Sequence, residues 1–434
     1  MKIIITGAGA VGYHIAKMMA SESQDIYLVD ENAERLQYIQ SHIDVQTIHG
    51  DASSISVLKE AKIESCDLLI AVTSSEETNL LVAILAKKFG ACRTIARISE
   101  LELKEEENRQ LLESLGIDTI ISPVKLAAEE IIRLVKNSVF TDDHEFEEGK
   151  LTVFGITIDE SSPLRDKSIL ESAHLNPDLT FKPIALHRLE ETIIVRSNTV
   201  IRAGDIVYFI SSRDSIDHVI EMCGKKTFNI RNVMIIGGSR IGILTAQLLE
   251  KDYKVVLVER DRNLCEKIAG KLKNTLVLNI DARDVEALEE EGLGDMDAFI
   301  AVTGDSESNI MTSLVAKNHK VKKTIARVEN IDYIHLSQNI GIDALINKKI
   351  IAASNIFKYV RKGDVTAIAN LNGVDAEIIE FIVKPDSPVT KLPINRLGFP
   401  RSANISGVVR GEIGFIPFGN FQMRAGDKVV VFCL

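Results

Sequence analysis

Ile4-Ile5-Thr6-Gly7-Ala8-Gly9-Ala10-Val11-Gly12 is a β-rich run that breaks into a glycine loop, and a near copy follows as Met234-Ile235-Ile236-Gly237-Gly238-Ser239-Arg240-Ile241-Gly242. The stretches behind each loop also recur. Ile70-Ala71-Val72-Thr73 returns as Ile300-Ala301-Val302-Thr303, and Thr94-Ile95-Ala96-Arg97 returns as Thr324-Ile325-Ala326-Arg327. Gly7 and Gly237, Thr73 and Thr303, Asn79 and Asn309, and Arg97 and Arg327 all stand 230 positions apart. One glycine loop is weak evidence, but two with the same landmarks in register mean a duplicated unit.

Around the first loop, short apolar strands alternate with helices. Val11, Ile15, Met18 and Met19 repeat at helical spacing after the strand Lys2 to Thr6. Strands follow at Asp25 to Asp30, Val45 to Gly50 and Asp67 to Thr73, with helices at Glu76 to Lys88, Leu101 to Leu115 and about 123–137. This rhythm gives a Rossmann-like, doubly wound parallel sheet. Thr141 to Lys150 is acidic and reads as a solvated linker. Beyond it, strands at Leu151 to Ile158, Phe181 to His187, Ile193 to Arg196 and Asp205 to Ile210 suggest a small α+β module. Ser162-Pro163 reappears as Ser387-Pro388, and Ile201-Arg202-Ala203-Gly204-Asp205 as Met423-Arg424-Ala425-Gly426-Asp427. The expected order is therefore two Rossmann-like domains (residues 1–140 and 230–362) alternating with two small α+β domains (146–226 and 366–434).

Strand, glycine loop and helix in that order form a dinucleotide fingerprint. Gly7 permits the tight turn, Gly9 lets backbone approach a pyrophosphate, and Gly12 lets helix and strand pack closely. The helix N-terminus, with Ala8, Ala10 and Val11 in its approach, supplies amide donors and partial positive charge. Asp30 ends the next strand, where a carboxylate accepts from a ribose diol and repels a 2′-phosphate; NAD or an adenine nucleotide is favoured. Asp51, Thr73, Ser74 and Arg97 follow later strands on the same edge. Asp51 can meet the adenine ring or cap a helix, and Arg97 can reach phosphate or form a surface ion pair. In the second copy, Gly237, Gly238, Ser239, Arg240 and Ile241 form the loop, Glu259 takes the ribose-carboxylate place, and Asp281, Thr303 and Arg327 match Asp51, Thr73 and Arg97. Ser239 narrows the approach while its hydroxyl remains able to donate to phosphate. This site is expected to bind more weakly or to prefer a different nucleotide, or else to be purely structural.

A net charge of −11 argues against broad nucleic-acid binding. Apolar runs such as Leu80 to Ala86 fall far short of the roughly 20 residues that cross a bilayer. The five cysteines make no CxxC and leave an odd count, as expected for buried thiols of a cytosolic protein. Neither module offers an evident acid/base group: residues 151–226 hold only His174, His187 and His218, and 366–434 hold no histidine. Two nucleotide sites without evident chemistry suggest that occupancy is read as conformation; a soluble NAD-dependent oxidoreductase and a nucleotide sensor of another transporter are the alternatives.

These residues resemble the RCK (regulator of potassium conductance) family, also called KTN. The loop with Asp30, the Ala71-to-Asn79 stretch, Ile95-Ala96-Arg97 and the tandem order carry the resemblance across essentially the whole chain. It implies that the Rossmann-like units bind NAD(H) or ATP/ADP and that the small modules mediate assembly and effector sensing. It also implies a homo-oligomer, two chains supplying a ring of four nucleotide units. That ring would be cytoplasmic, peripheral on the inner face of the membrane beneath a potassium transporter subunit. The chain departs from the family at Ala10, where some relatives place a phosphate-contacting arginine; Arg240 is left as the candidate for that role across an interface.

Overall fold

The computed structural model describes every residue except 21–23, 100–105, 177, 190, 331–332, 334–339, 358, 360–364, 372–373 and 375. The chain divides into two compact units, residues 1–128 with 347–361, and residues 129–346 with 362–434.

The first unit is built on six parallel strands: β1 (Lys2–Thr6), β2 (Asp25–Asp30), β3 (Gln46–His49), β4 (Leu68–Ala71), β5 (Arg93–Arg97) and β6 (Thr119–Ile121). Their order, β3-β2-β1-β4-β5-β6, places a topological switch between β1 and β4, so the carboxyl ends of those strands open a crevice. Ile3, Ile4 and Ile5 are fully buried on successive, opposite faces, as a strand covered by helices on both sides requires. The helix Glu76–Phe89 starts where the Ser75 side chain accepts from the Thr78 amide, and its first turn carries Glu76 and Glu77, both favourable at a helix N-terminus. Of the helix expected from Leu101, the structure describes Glu106–Ser114; residues 101–105 lie outside the described residues.

The helix Lys348–Phe357, which ends the second repeat in sequence, packs against the helix Ala10–Ala20 of the first sheet's domain. Ile15, Ala16 and Met19 are buried on one helix and Ala352, Ala353 and Ile356 on the other. Alanines on the contact allow close approach, so a helix placed by sequence within residues 230–362 belongs to the first compact unit.

The second unit holds three sheets. The first module is the antiparallel set β7 (Asp143–Phe146), β8 (Leu151–Thr157), β9 (Phe181–Arg188), β10 (Glu191–Ile194) and β11 (Ile206–Ser211), ordered β10-β9-β11-β8-β7. The second parallel sheet comprises β12 (Asn232–Ile236), β13 (Lys254–Glu259), β14 (Thr275–Asn279), β15 (Ala298–Ala301), β16 (Lys323–Arg327) and β17 (Ala344–Ile346), with the strand order of the first. The last module repeats the antiparallel topology with β18 (Val365–Asn370), β19 (Glu377–Ile382), β20 (Ala403–Arg410), β21 (Ile413–Phe415) and β22 (Lys428–Cys433). In each module the repeated Arg-Ala-Gly-Asp turn buries its aspartate, which takes a forked pair of 2.7 Å bonds from one arginine: Arg188 on Asp205 and Arg410 on Asp427.

The acidic segment after Thr141 is not a solvated linker. Asp142 and Asp143 are buried, and β7 pairs with β8. Asp143 is tolerated there because Asn137 donates to it at 2.9 Å and Arg133 lies 3.4 Å away. The fully buried Lys323 donates to the Phe140 carbonyl at 2.5 Å, tying the same segment to the second parallel sheet.

The two antiparallel sheets share one core. Phe146, Leu151, Val153 and Tyr208 of the first meet Ile378, Val409, Val430 and Phe432 of the second. Lys182 lies in this contact, donating to Asn404 Oδ1 at 2.9 Å and to the Ile405 carbonyl at 3.0 Å. Burial disfavours its ammonium form and lowers its pKa from 10.5 to about 8. The folded state therefore binds fewer protons than the unfolded state between those values. The cost, about 3 kcal/mol, is fully present below pH 8 and is relieved as pH rises towards 10.5. Wild type should gain thermal stability relative to Lys182→Met across that window, measured by calorimetric melts of both proteins. A constant difference from pH 7 to 10.5 would contradict the buried ammonium.

Candidate functional site

Each parallel sheet carries the same strand–loop–helix corner. Gly7 has φ +103°, and a Cβ there would come within 2.7 Å of the Thr73 amide nitrogen. A Cβ at Gly12 would lie 1.9 Å from the Gly7 carbonyl oxygen, so helix and strand meet only through glycine. Gly237 and Gly242 reproduce this, with φ +104° and a 2.1 Å approach. A Cβ on Gly9 would meet no atom within 4 Å, so packing within the chain does not require that glycine, and it leaves open space at the helix N-terminus. Val11 and Ile241 face the core, whereas Ala10 and Arg240 are exposed as the first helical residues.

The carboxylates after the second strand hold the loops. Asp30 accepts from the Ala8 amide at 2.6 Å and from Asn32 at 2.8 Å. Glu259 accepts from Gly238 at 2.7 Å and from Asp261 at 2.9 Å. Both therefore stand beside the loop amides, with lone pairs remaining for a ribose diol. Asp51 is an acceptor in its own turn, taking the Ser53 amide and hydroxyl at 2.7 Å each, bonds that lower its pKa. The cap of the following helix is Ser54, not Asp51.

Asn79 and Asn309, visible in the sequence only as repeat landmarks, are buried clamps. Asn79 Oδ1 accepts from the Thr73 amide and hydroxyl at 2.8 Å, and its Nδ2 donates to the carbonyls of Thr73 and Arg97. Asn309 repeats every bond with Thr303 and Arg327. The carboxyl ends of the fourth and fifth strands are thus fixed to one another in both copies.

The copies diverge in the groups that would meet phosphate. In the second loop the Ser239 hydroxyl donates to the Val302 carbonyl at 2.8 Å and accepts from the Gly242 amide at 3.3 Å. Its proton is thus committed to protein, contrary to the expectation that it donates to phosphate, and it occupies an amide that Gly9, without a side chain, cannot occupy in the first loop. Arg97 reaches the exposed Ser74 only through its carbonyl, at 3.4 Å, and its Nε is buried without a hydrogen-bond partner. Burial lowers its pKa against the opposing charge of Glu76. The Nε of Arg327 is likewise buried without a partner, but its guanidinium pairs with Glu329 and donates to the Thr303 carbonyl at 3.1 Å. Glu329 stands where the first copy has Ser99.

A cavity of about 420 Å³ opens at the second corner. Of the residues expected from sequence, Gly237, Gly238, Ser239, Glu259, Asp281 and Thr303 line it; Arg240, Ile241 and Arg327 are not among its walls. Arg260, Leu264, Ile280 and Arg283 line it as well, and comparing the two copies position by position would have found them. Arg283 forks onto Asp281, which lowers that carboxyl to about 2. Among the described residues no group of three or more His, Cys, Asp or Glu side chains is arranged to hold a metal ion, and no helix is long and apolar enough to cross a membrane.

The TrkA-N domain model matches residues 3–123 and 233–348, and the TrkA-C domain model matches 153–224 and 378–434. The Trk system potassium uptake protein TrkA of Azorhizobium caulinodans is 32% identical over 440 residues, covering 100% of this chain and 96% of that protein. The protein of that name from Halomonas elongata is 32% identical over 438 residues, with the same coverage. Among solved structures, the GsuK RCK domain matches with a TM-score of 0.61 at 15% identity, over 99% of this chain and 91% of that one. The GsuK channel bound to NAD matches with a TM-score of 0.61 at 15% identity, over 99% of this chain and 76% of that one. The structural likenesses establish the fold; on the domain matches and the full-length identity, the chain belongs to the TrkA family of Trk potassium uptake proteins.

Proposed function

We propose that the chain is a nucleotide-sensing regulatory subunit. It would sit on the cytoplasmic face of a membrane potassium transporter of TrkH or TrkG type and set that transporter's conductance. The observation that carries this reading is the intact first loop: a helix preceded by Gly9, which has no side chain to cap it, Asp30 beside the Ala8 amide, and at the same sheet edge Arg97, where the second copy pairs its arginine with Glu329. NAD(H) or ATP/ADP suits that set, its phosphates on the loop amides, its ribose on Asp30 and a distal phosphate within reach of Arg97. A ligand shifts conformation only by as much as it favours one state over another, and charged ligands of different length contact Arg97 differently. The family relationship supports a potassium transporter as the partner. Two chains would bring together four nucleotide units.

Asp30→Ala should weaken NADH and ATP binding at the first site by about 1–3 kcal/mol, because it leaves loop amides and ribose hydroxyls unpaired. Titration calorimetry on the full chain reads this directly, and unchanged affinity for both ligands would rule Asp30 out. Steady turnover of pyridine nucleotide with a small substrate would instead favour an oxidoreductase.

Ser239→Gly should release the Gly242 amide and tighten dinucleotide binding at the second site by about 1 kcal/mol, with only a few tenths of a kcal/mol lost from the helix cap. If affinity falls or stays level in calorimetry, the serine is not what limits that cradle. Light scattering at micromolar concentration should report at least a dimer; a strict monomer would exclude the four-unit assembly.

A further inference from the structure

The second corner differs from the first most sharply at the end where a nucleotide base would rest. If phosphate lies on the Gly237–Gly242 loop and ribose on Glu259, the base extends past β13 towards β14. There the second copy places Arg260 for Glu31, Leu264 for Arg35, Ile280 for Gly50 and Arg283 for Ser53, and all four line the cavity. The strand registers fix these equivalences: Thr6 pairs with Val29 as Ile236 pairs with Val258, and Asp30 with His49 as Glu259 with Asn279. In the first unit a side chain at Gly50 would press on Val57, its Cβ only 2.7 Å from Val57 Cγ2. Ala287 replaces Val57 in the second unit and gives Ile280 its room.

The exchanges therefore put two aliphatic side chains, Leu264 and Ile280, and two arginines, Arg260 and Arg283, on an edge that in the first copy carries Glu31, Arg35, Gly50 and Ser53. The plane of Arg283 is set by its fork onto Asp281. Guanidinium faces and aliphatic side chains both stack well on an aromatic ring. At the same corner the phosphate-binding groups are weakened, since Ser239 occupies the Gly242 amide and Glu329 pairs Arg327.

We propose that the second unit grips its nucleotide by the adenine base rather than by the diphosphate, with the base resting on Leu264 and Ile280 between the guanidinium groups of Arg260 and Arg283. This rests on the reading that the second unit binds a nucleotide. The ligand class is an adenine mononucleotide, because a base grip needs no bridging pyrophosphate, and AMP should approach the affinity of NADH there.

The test uses the full-length protein and 8-azidoadenosine monophosphate, whose photoreactive group sits on the base. Mass mapping should place the label on segments around Arg260–Leu264 and Ile280–Arg283. Arg260→Ala should lower AMP, ADP and NADH affinity at the second site by one common factor, about threefold to tenfold. Arg260→Lys should fail to restore it, because an ammonium keeps the charge but not the plane. Ile280→Gly, which removes no charge, should cost a similar factor. Rescue by lysine, or a loss that grows from AMP to ADP to ATP, would make Arg260 a phosphate ligand and overturn the base grip. Label on the first unit with none on the second at saturating AMP would instead remove nucleotide binding by the second unit, the reading underneath.

Discussion

The close approach of Gly12 to the Gly7 carbonyl is the contact on which the rest of each nucleotide unit depends. Only a missing Cβ allows a separation of 1.9 Å from that would-be carbon to the oxygen, so strand and helix meet in one geometry. That geometry aims the helix N-terminus at the carboxyl end of the sheet. It also brings Ala8 within 2.6 Å of Asp30 across β1 and β2. The Asn79 clamp then fixes the fourth and fifth strand ends and sets the base of Arg97. A ligand at this edge meets a frame whose donors are held before it arrives, which limits the ordering entropy of binding.

The second copy keeps the frame and changes the groups on it. Its glycine pair, carboxylate and asparagine clamp are superimposable in role, while Ser239 and Glu329 occupy the amide and the arginine that phosphate would use. Such divergence is available because frame and ligand groups rest on different atoms. The frame is made by backbone and buried side chains, the ligand groups by exposed or half-buried ones.

The parallel order of both sheets was legible because glycine loops and continuous apolar strands are local signals with few alternative readings. That Asp30 and Glu259 end their strands beside the glycine loops was legible for the same reason. The burial of Asp142 and Asp143 was not, since a run of acids looks solvated until Arg133 and Asn137 are seen beside Asp143. The direction of the Ser239 hydroxyl was hidden too, because its acceptor, Val302, is distant in sequence. The placement of the helix Lys348–Phe357 escaped periodicity, which reveals that a helix has an apolar face but not which surface covers it.

Tandem duplication within one chain also permits contacts that identical chains cannot make. Arg188 and Arg410, and Asp205 and Asp427, are equivalent, and by the same register Lys182 is equivalent to Asn404. These two equivalent positions touch each other, at 2.9 Å, inside the shared core of the two modules. Two identical modules packed this way would place lysine on lysine, and one of the two would have to give up its proton or leave the contact. With asparagine on one side, the single ammonium finds a carbonyl and an amide oxygen instead. At this position the unlike pair, lysine against asparagine, leaves every buried hydrogen-bond group of the contact a partner where a like pair would not.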